Sequence, residues 1–365
     1  MQKIFFTVTN DLSYDQRMIR ICNSMSAAGY DVTLVGRKRS GSVPLLNAAY
    51  KQKRLDCFFE KGKMFYAEFN TRLFFYLLFK KMDAICAIDL DTILPAYYIS
   101  KIKAVKRVCD AHEYFSQQKE IITRAAIYKF WKGIEQNYLP KFPKGYTVGN
   151  YIAAEFEKVY AVHYEVIRNL PLLKDELPLP GSDKNRKIIL YQGAVNEARG
   201  LEFLIPAMIN IDAMLHIYGD GNFVKQTEEL IRTNNLEDKV FMKGKVLPAQ
   251  LDMITRQATI GVNLVENNGL NQYYSLANKF FDLIHSGIPQ VTMDFPEYKE
   301  INDQFEVAVL IPDLRVETIE GAINKLLTDE ALYKRLQQNC LEARKVLNWQ
   351  QEEKKLIAFY KHILG

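Results

Sequence analysis

The run Lys3-Ile4-Phe5-Phe6-Thr7-Val8 is apolar and too short for a helix, and the residues after it decide the fold class. Ser13 and Gln16 are spaced as a capping box, and Met18, Ile21, Cys22 and Met25 then mark one helix face that ends at Gly29. Asp31–Gly36 is a second short apolar run. Strand, helix and strand at this spacing form a βαβ unit, which requires a parallel sheet. Further strands are predicted at Ala84–Ile88, Arg107–Cys109, Tyr146–Val148 and Tyr164–Ile167, with one long helix from about Ser116 to Tyr138. Between Asn169 and Arg186 the periodicity stops, and Pro171, Pro178, Pro180, Gly181 and Ser182 mark a linker. The α/β rhythm then restarts, with strands expected at Lys187–Gln192, Ala213–Tyr218, Lys239–Met242, Ile260–Leu264, Gln290–Met293 and Ala308–Ile311. From Thr318 the pattern is helical, broken near Asn348-Trp349. The division expected is therefore an α/β domain over 1–168, a linker over 169–186, a second α/β domain over 187–345, and a closing helix over 346–365 that packs back toward the first domain. The two halves share an architecture without an internal sequence repeat.

Composition narrows the function classes. The chain has 365 residues, 48% hydrophobic and 25% charged, long enough for two cores. A net charge of +5 suits phosphorylated substrates or an anionic membrane surface, but no arginine-rich block with interleaved aromatics is present, which argues against nucleic acid. Five cysteines stand far apart with no CxxC pair, as expected of buried thiols in a reducing compartment. Met1–Phe6 has too short an apolar core for a signal peptide, so a cytoplasmic location is expected. Leu73–Phe79, flanked by Arg72, Lys80 and Lys81, cannot span a bilayer; it reads as a buried helix or as a segment lying on a membrane surface.

The densest site signal lies in Tyr273–Pro289. It reads as a helix capped by Ser275, with Gly287 at the left-handed exit and Pro289 forbidding continuation. Leu276, Phe280 and Leu283 form its apolar stripe, whereas Asn278, Asp282 and His285 share another face with Lys279 beside Asp282. Its charges alone could be a solvated pair. Two more glycine turns come after strands in the same half: Gly193, leading to Arg199-Gly200 before a helical pattern, and Gly219-Asp220-Gly221. The latter resembles the start of a dinucleotide fingerprint but lacks its third glycine. In open α/β sheets ligands gather at the carboxyl ends of strands, so all three turns converge on one sheet edge. The first half places Asp89-Leu90-Asp91 and Asp110-Ala111-His112-Glu113 after strands. The first triplet could hold a divalent cation, but it precedes a helical pattern and reads better as an N-cap. His163, His216, His285 and His362 have no ligand spacing, and no metal site is expected.

Gly193…Arg199-Gly200, Tyr218-Gly219-Asp220-Gly221, and Asn278-Lys279-Phe280-Phe281-Asp282 followed by Ser286-Gly287-Ile288-Pro289 resemble the donor half of family-4-type glycosyltransferases of GT-B fold. The subgroup it is most similar to carries a Pro-Asn-Lys-(Leu/Phe)-Phe-Glu motif. Asp11…Asp15-Gln16-Arg17, Asp89-Leu90-Asp91 and Asp110-Ala111-His112-Glu113 resemble the first half of the same subgroup. The resemblance implies two doubly wound Rossmann-like domains facing a cleft, with a nucleotide-diphosphate sugar held mainly by the C-terminal one and no further cofactor.

On the same ground Arg199 and Lys279 would neutralise the leaving diphosphate, with Gly193, Gly219, Ser275, Asn278 and Asp282 binding the donor. His112 would lie near the transferred sugar, orienting it or activating the acceptor, with Asp11, Asp110 and Glu113 on the acceptor side. Asp282 stands where the family has the glutamate that bonds the ribose; Ala194, Tyr274 and Ala277 replace a family arginine, glutamate and proline. The implied reaction is metal-independent retaining transfer of a hexosyl or N-acetylhexosaminyl unit to a glycan or lipid-linked acceptor of a bacterial surface polysaccharide. Peripheral contact with the inner membrane is an accompanying expectation. A nucleotide-sugar 2-epimerase and an inactive sugar-nucleotide-binding protein are the rival readings.

Overall fold

The structure is a computed structural model that describes residues 1–13, 15–174 and 187–365. It divides into two units, Met1–Asn169 with Trp349–Gly365, and Leu170–Asn348. Most of the proposed 169–186 linker lies outside the described residues.

The first unit carries β1 (Lys3–Thr7), β2 (Asp31–Lys38), β3 (Lys51–Asp56), β4 (Ala84–Ile88), β5 (Lys106–Ala111), β6 (Gly145–Thr147) and β7 (Glu165–Val166) in one sheet of order β3-β2-β1-β4-β5-β6-β7. Every pair is parallel. The order reverses between β1 and β4, so the crevice at their carboxyl ends is the natural place for a ligand. β4 is buried along its whole length, because helices cover both faces of the sheet.

Two helix assignments need correction. Asp15, not Ser13, caps α1 (Gln16–Ala27), its carboxylate accepting from Met18 N at 3.0 Å. The residues from Ser116 to Tyr138 are not one helix. A 3₁₀ turn at Phe115–Gln117 and a short helix at Lys119–Ile122 precede the main helix Ala125–Tyr138, with Gln118 and Arg124 extended. The cause is a buried bond of 2.6 Å from Ser116 Oγ to Glu135 Oε2. A continuous helix would hold those residues about 28 Å apart. The closing helix Trp349–Leu364 belongs to the first unit. Trp349 Nε1 donates to Ser24 Oγ at 2.9 Å, and Phe359 packs edge-on to Tyr146.

The second unit repeats the pattern with β8 (Ile188–Gln192), β9 (Met214–Tyr218), β10 (Val240–Gly244), β11 (Ile260–Asn263), β12 (Gln290–Met293) and β13 (Ala308–Ile311), ordered β10-β9-β8-β11-β12-β13 and parallel throughout. Its switch point lies between β8 and β11. Ile189, Tyr191, Ile217, Val262, Phe280, Phe281 and Ile284 form the centre of its core. No helix among the described residues is long and apolar enough to cross a membrane.

Candidate active site

In the second unit the chain leaves β8 at Gly193, whose φ of +127° suits glycine. The Gly219-Asp220-Gly221 turn lies directly against it. Gly193 N donates to Tyr218 O and Val195 N to Asp220 O, both at 3.0 Å. A Cβ on Gly219 would stand 1.8 Å from Gly193 O, and one on Gly221 would stand 2.2 Å from Val195 O. Gly219 and Gly221 therefore let one backbone turn rest on another, and the residue they position is Gly193.

Lys279 sits in the first turn of the helix Asn278–Ser286, its Nζ 4.3 Å from the centroid of the Tyr191 ring. A Cβ on Gly193 would come within 4.0 Å of that Nζ, so the ammonium and the β8 turn face one space. Burial, and then the nearby Arg199 guanidinium, push Lys279 down to about 7. Neither cation meets a carboxylate among the described residues. Arg199 precedes Gly200, which is left-handed at φ +77° and so close to Leu264 that a Cβ would clash at 2.6 Å.

Asp282, one turn further along the helix, is tied to the end of β8: Gln192 Nε2 donates to Asp282 Oδ2 at 3.2 Å, and Thr255 Oγ1 donates to Gln192 Oε1 at 2.7 Å. Gln192 and Tyr191 were not among the expected site residues. The one signal for them was their place at the end of the strand that begins the sheet.

Ser275 is not the cap. Ala277, extended, precedes the helix, and its N–H donates to Tyr298 Oη at 3.0 Å. The residues before it wind into a separate turn at Leu270–Tyr273, which places Ser275 Oγ 3.4 Å from the same Tyr298 hydroxyl. Asn278 is exposed at the first helical position. The helix exit is as read: Gly287 is left-handed at φ +68°, and Ile288 N closes onto Leu283 O.

The first unit holds the other cluster. Asp110 at the end of β5 is fully buried, receives Arg17 Nη2 at 2.9 Å, and faces His112 Nε2 at 3.0 Å. Asp110 can therefore act on a substrate only through His112. Burial would lower the imidazole pKa, but Asp110 and then Asp89 overcome it and raise His112 to about 9. The Asp89 backbone is strained, with φ +54° and ψ −176°. Its carboxylate does not cap the next helix; it accepts from His112 N at 2.7 Å and Glu113 N at 3.3 Å. Asp91 instead accepts from Thr9 Oγ1 at 2.5 Å. The capping explanation of the Asp89–Asp91 triplet is thus corrected: both carboxylates brace neighbouring strand ends.

Asp11 stands apart from this network, bonded to Arg54 Nη2 at 2.7 Å, Ser13 N at 3.1 Å and the Ser42 hydroxyl. Glu113 is exposed and receives the Gln118 amide.

Residues 176–343 match the family described as Glycosyl transferases group 1. Over 164 residues the chain is 24% identical to the alpha-D-kanosaminyltransferase of Streptomyces kanamyceticus, a match spanning 42% of this chain and 40% of that protein. The fold is similar to sucrose-phosphate synthase from Thermosynechococcus elongatus, with a TM-score of 0.85, 17% identity and 99% of both chains covered. It is also similar to the Anabaena HepE protein in complex with UDP and glucose, with a TM-score of 0.78, 12% identity, and 99% and 100% of the chains covered. In sequence, residues 176–343 are thus similar to the group 1 glycosyl transferases, and the fold of the whole chain is GT-B.

Proposed function

We propose that this protein transfers a sugar from a nucleotide-diphosphate sugar to a glycan or lipid-linked acceptor of a bacterial surface polysaccharide, with retention and without a metal ion. The observation that carries the reading is the Lys279 ammonium over the Tyr191 ring and within electrostatic reach of Arg199, two cations with no carboxylate partner among the described residues. Two like charges left together at a strand end raise each other's free energy, and a bound dianion relieves this. As the glycosidic bond to the donor breaks, negative charge grows on the diphosphate oxygens, and fixed cations in a partly dry site stabilise that change. The same two charges supply the neutralisation that a divalent ion would otherwise provide. Tyr191 gives the Lys279 ammonium an aromatic face, and Gln192 holds Asp282 beside it in position for the ribose hydroxyls.

His112 in the first unit holds its proton at neutral pH, raised to about 9 against burial by Asp110 and then Asp89. It is therefore a donor to a sugar hydroxyl rather than a base. Retention, the hexosyl or N-acetylhexosaminyl nature of the sugar and the polysaccharide acceptor follow from the family resemblance. A cytoplasmic location with peripheral contact on the inner membrane face belongs to the same reading, supported by five unpaired cysteines.

A panel of nucleoside diphosphates in a thermal-shift assay identifies the base, because a bound ligand raises apparent stability by mass action. With that nucleotide's sugars, transfer is expected to release free nucleoside diphosphate only when acceptor is added. Interconversion of two nucleotide sugars without acceptor would instead establish an epimerase and overturn the proposal.

A further inference from the structure

A second group of uncompensated cations lies in the first unit, on the carboxyl edge of the sheet that carries His112. Arg37 is the penultimate residue of β2, and its N–H donates to Asn10 O at 3.1 Å. The side chain turns inward. It is only 7% exposed, and its Cζ stands 4.2 Å from the centroid of the Phe65 ring, in the first turn of α2 (Gly62–Leu78). Nη1 donates to Glu60 O at 2.9 Å, Nε is buried without an acceptor, and no carboxylate pairs with the group among the described residues. Arg39 follows two residues on, and Lys61 and Lys63 flank the start of α2. All three are exposed and have no carboxylate partner among the described residues.

The nearby acids are committed elsewhere. Glu60 turns its carboxylate to Ser40 N at 3.1 Å, and Glu68 receives Phe58 N and Phe59 N at 2.9 Å and Arg72 Nε at 2.8 Å. Burial, and then Arg39, lower the Arg37 guanidinium from its ordinary value, and Glu60 offsets this only in part. The start of α2 adds to the imbalance. Lys61 caps it without a side-chain bond, its first turn has no acid, and its free N–H groups carry the positive end of the helix dipole. Cations at the amino end of a helix are unfavourable by themselves, and a bound anion relieves both.

We propose, on the strength of the transfer reaction inferred above, that Arg37 and the first turn of α2 form an anion subsite for the acceptor, which therefore carries a phosphate or a carboxylate group. A guanidinium presents paired N–H donors that match either oxyanion. The position within the first unit fits this use. Asn70 Nδ2, two turns from the start of α2, donates to Asp91 O at 2.9 Å, in the turn that begins at Asp89, whose carboxylate holds His112 N. β2 is the third neighbour of β5 in the sheet, roughly 14 Å away at ordinary strand spacing. The anionic group thus belongs on a sugar or linkage removed from the accepting hydroxyl.

Binding, not turnover, tests the subsite. Melting of the full chain is followed with inorganic phosphate, glucose 1-phosphate and glucuronate in the Lys279→Ala background, which weakens the anion site of the second unit. Arg37→Gln, Arg37→Lys and the surface set Arg39→Gln/Lys61→Gln/Lys63→Gln are added to it, and circular dichroism verifies each fold. The two phosphates are expected to raise the melting temperature. Their apparent affinity should fall about tenfold or more in Arg37→Gln and roughly two- to fivefold in the surface set, and be partly kept in Arg37→Lys. Protection by glucuronate alone keeps the subsite and assigns a carboxylate-bearing acceptor. Nucleoside diphosphate is run in parallel with otherwise unaltered protein. Its failure to protect wild type defeats the transfer reading, whereas equal protection of wild type and Arg37→Gln places the Arg37 anion outside the donor. If none of the three anions distinguishes Arg37→Gln and the surface set from their background, the subsite binds no anion and the inference is overturned.

Discussion

Arg199 with Lys279 and Arg17 with His112 are two cationic pairs at strand ends, and they are treated in opposite ways. In the first unit each positive charge has its carboxylate: Arg17 on Asp110 at 2.9 Å, and His112 on Asp110 at 3.0 Å with Asp89 beyond it at 3.9 Å. Burial there is matched by partners, so the protons stay on and the imidazole is fixed in one orientation. In the second unit the two charges feel each other without a counter-ion among the described residues, and Lys279 is pushed down to about 7 by burial and then by Arg199. A compensated cluster is rigid before any ligand arrives; an uncompensated one becomes favourable only when an anion enters. The difference separates a group that orients from groups that bind and stabilise developing charge.

Removing a partner from the compensated cluster should be the most damaging change. Asp110→Asn strands the buried Arg17 guanidinium, and an uncompensated buried charge costs about 3–5 kcal/mol. Denaturant unfolding should show the first unit destabilised by that order. The wild-type pH profile carries the matching signature. His112 has a folded pKa of about 9 against 6.5, so its contribution is fully present below pH 6.5 and is lost as pH rises through 9. Asp89, raised by burial to about 8 despite His112, acts with the same sign. Asp110→Asn should flatten this alkaline loss; an unchanged slope would remove His112 from the network.

The uncompensated pair should respond inversely. Lys279→Ala is expected to leave the melting temperature unchanged or slightly raised, since it removes like-charge repulsion. Turnover should nevertheless fall about 100- to 1000-fold, the usual loss when one group stabilising developing negative charge is deleted. Intact turnover in a variant that still binds nucleotide would end the assignment of that lysine. Between these extremes is Gly219→Ala. Its Cβ would stand 1.8 Å from Gly193 O, and the turn must move. A loss of about 1–3 kcal/mol is expected, together with weaker nucleotide binding. Lost stability with unchanged binding would show that Gly193 is not part of the anion site.

How far such features could be read before the structure depended on how local their causes are. Gly287 and Pro289 end their helix by backbone chemistry confined to a few residues, and that exit was legible. The start was not, because Tyr298, over twenty residues away, takes the N–H of Ala277 and leaves Ser275 outside. β3 was missed because Lys51-Gln52-Lys53-Arg54 has no apolar alternation; it is an edge strand paired on one side by β2. The packing role of Gly219 was hidden for a related reason. Its sequence neighbourhood suggests approach to a ligand, whereas the atom that excludes a side chain is the carbonyl of another turn. Gln192 has no motif at all, and only the bonds to Thr255 and Asp282 reveal it.

The finest test of the contrast is a proton count. Lys279 has a folded pKa of about 7 against 10.5, so the unfolded chain binds more protons between those values. Its contribution to stability therefore rises with pH across that window, against the fall caused by His112 and Asp89. A nucleoside diphosphate needs the ammonium form, and its own terminal phosphate is already ionised above a pKa of about 6. Binding should take up close to no protons at acidic pH and approach about one per site by pH 9, with affinity falling up to about tenfold per pH unit above 7. Calorimetry in two buffers of different ionisation enthalpy measures this number directly. Uptake that persists in Lys279→Ala would assign the proton elsewhere, and the second unit would then have no charge waiting for its ligand at this lysine.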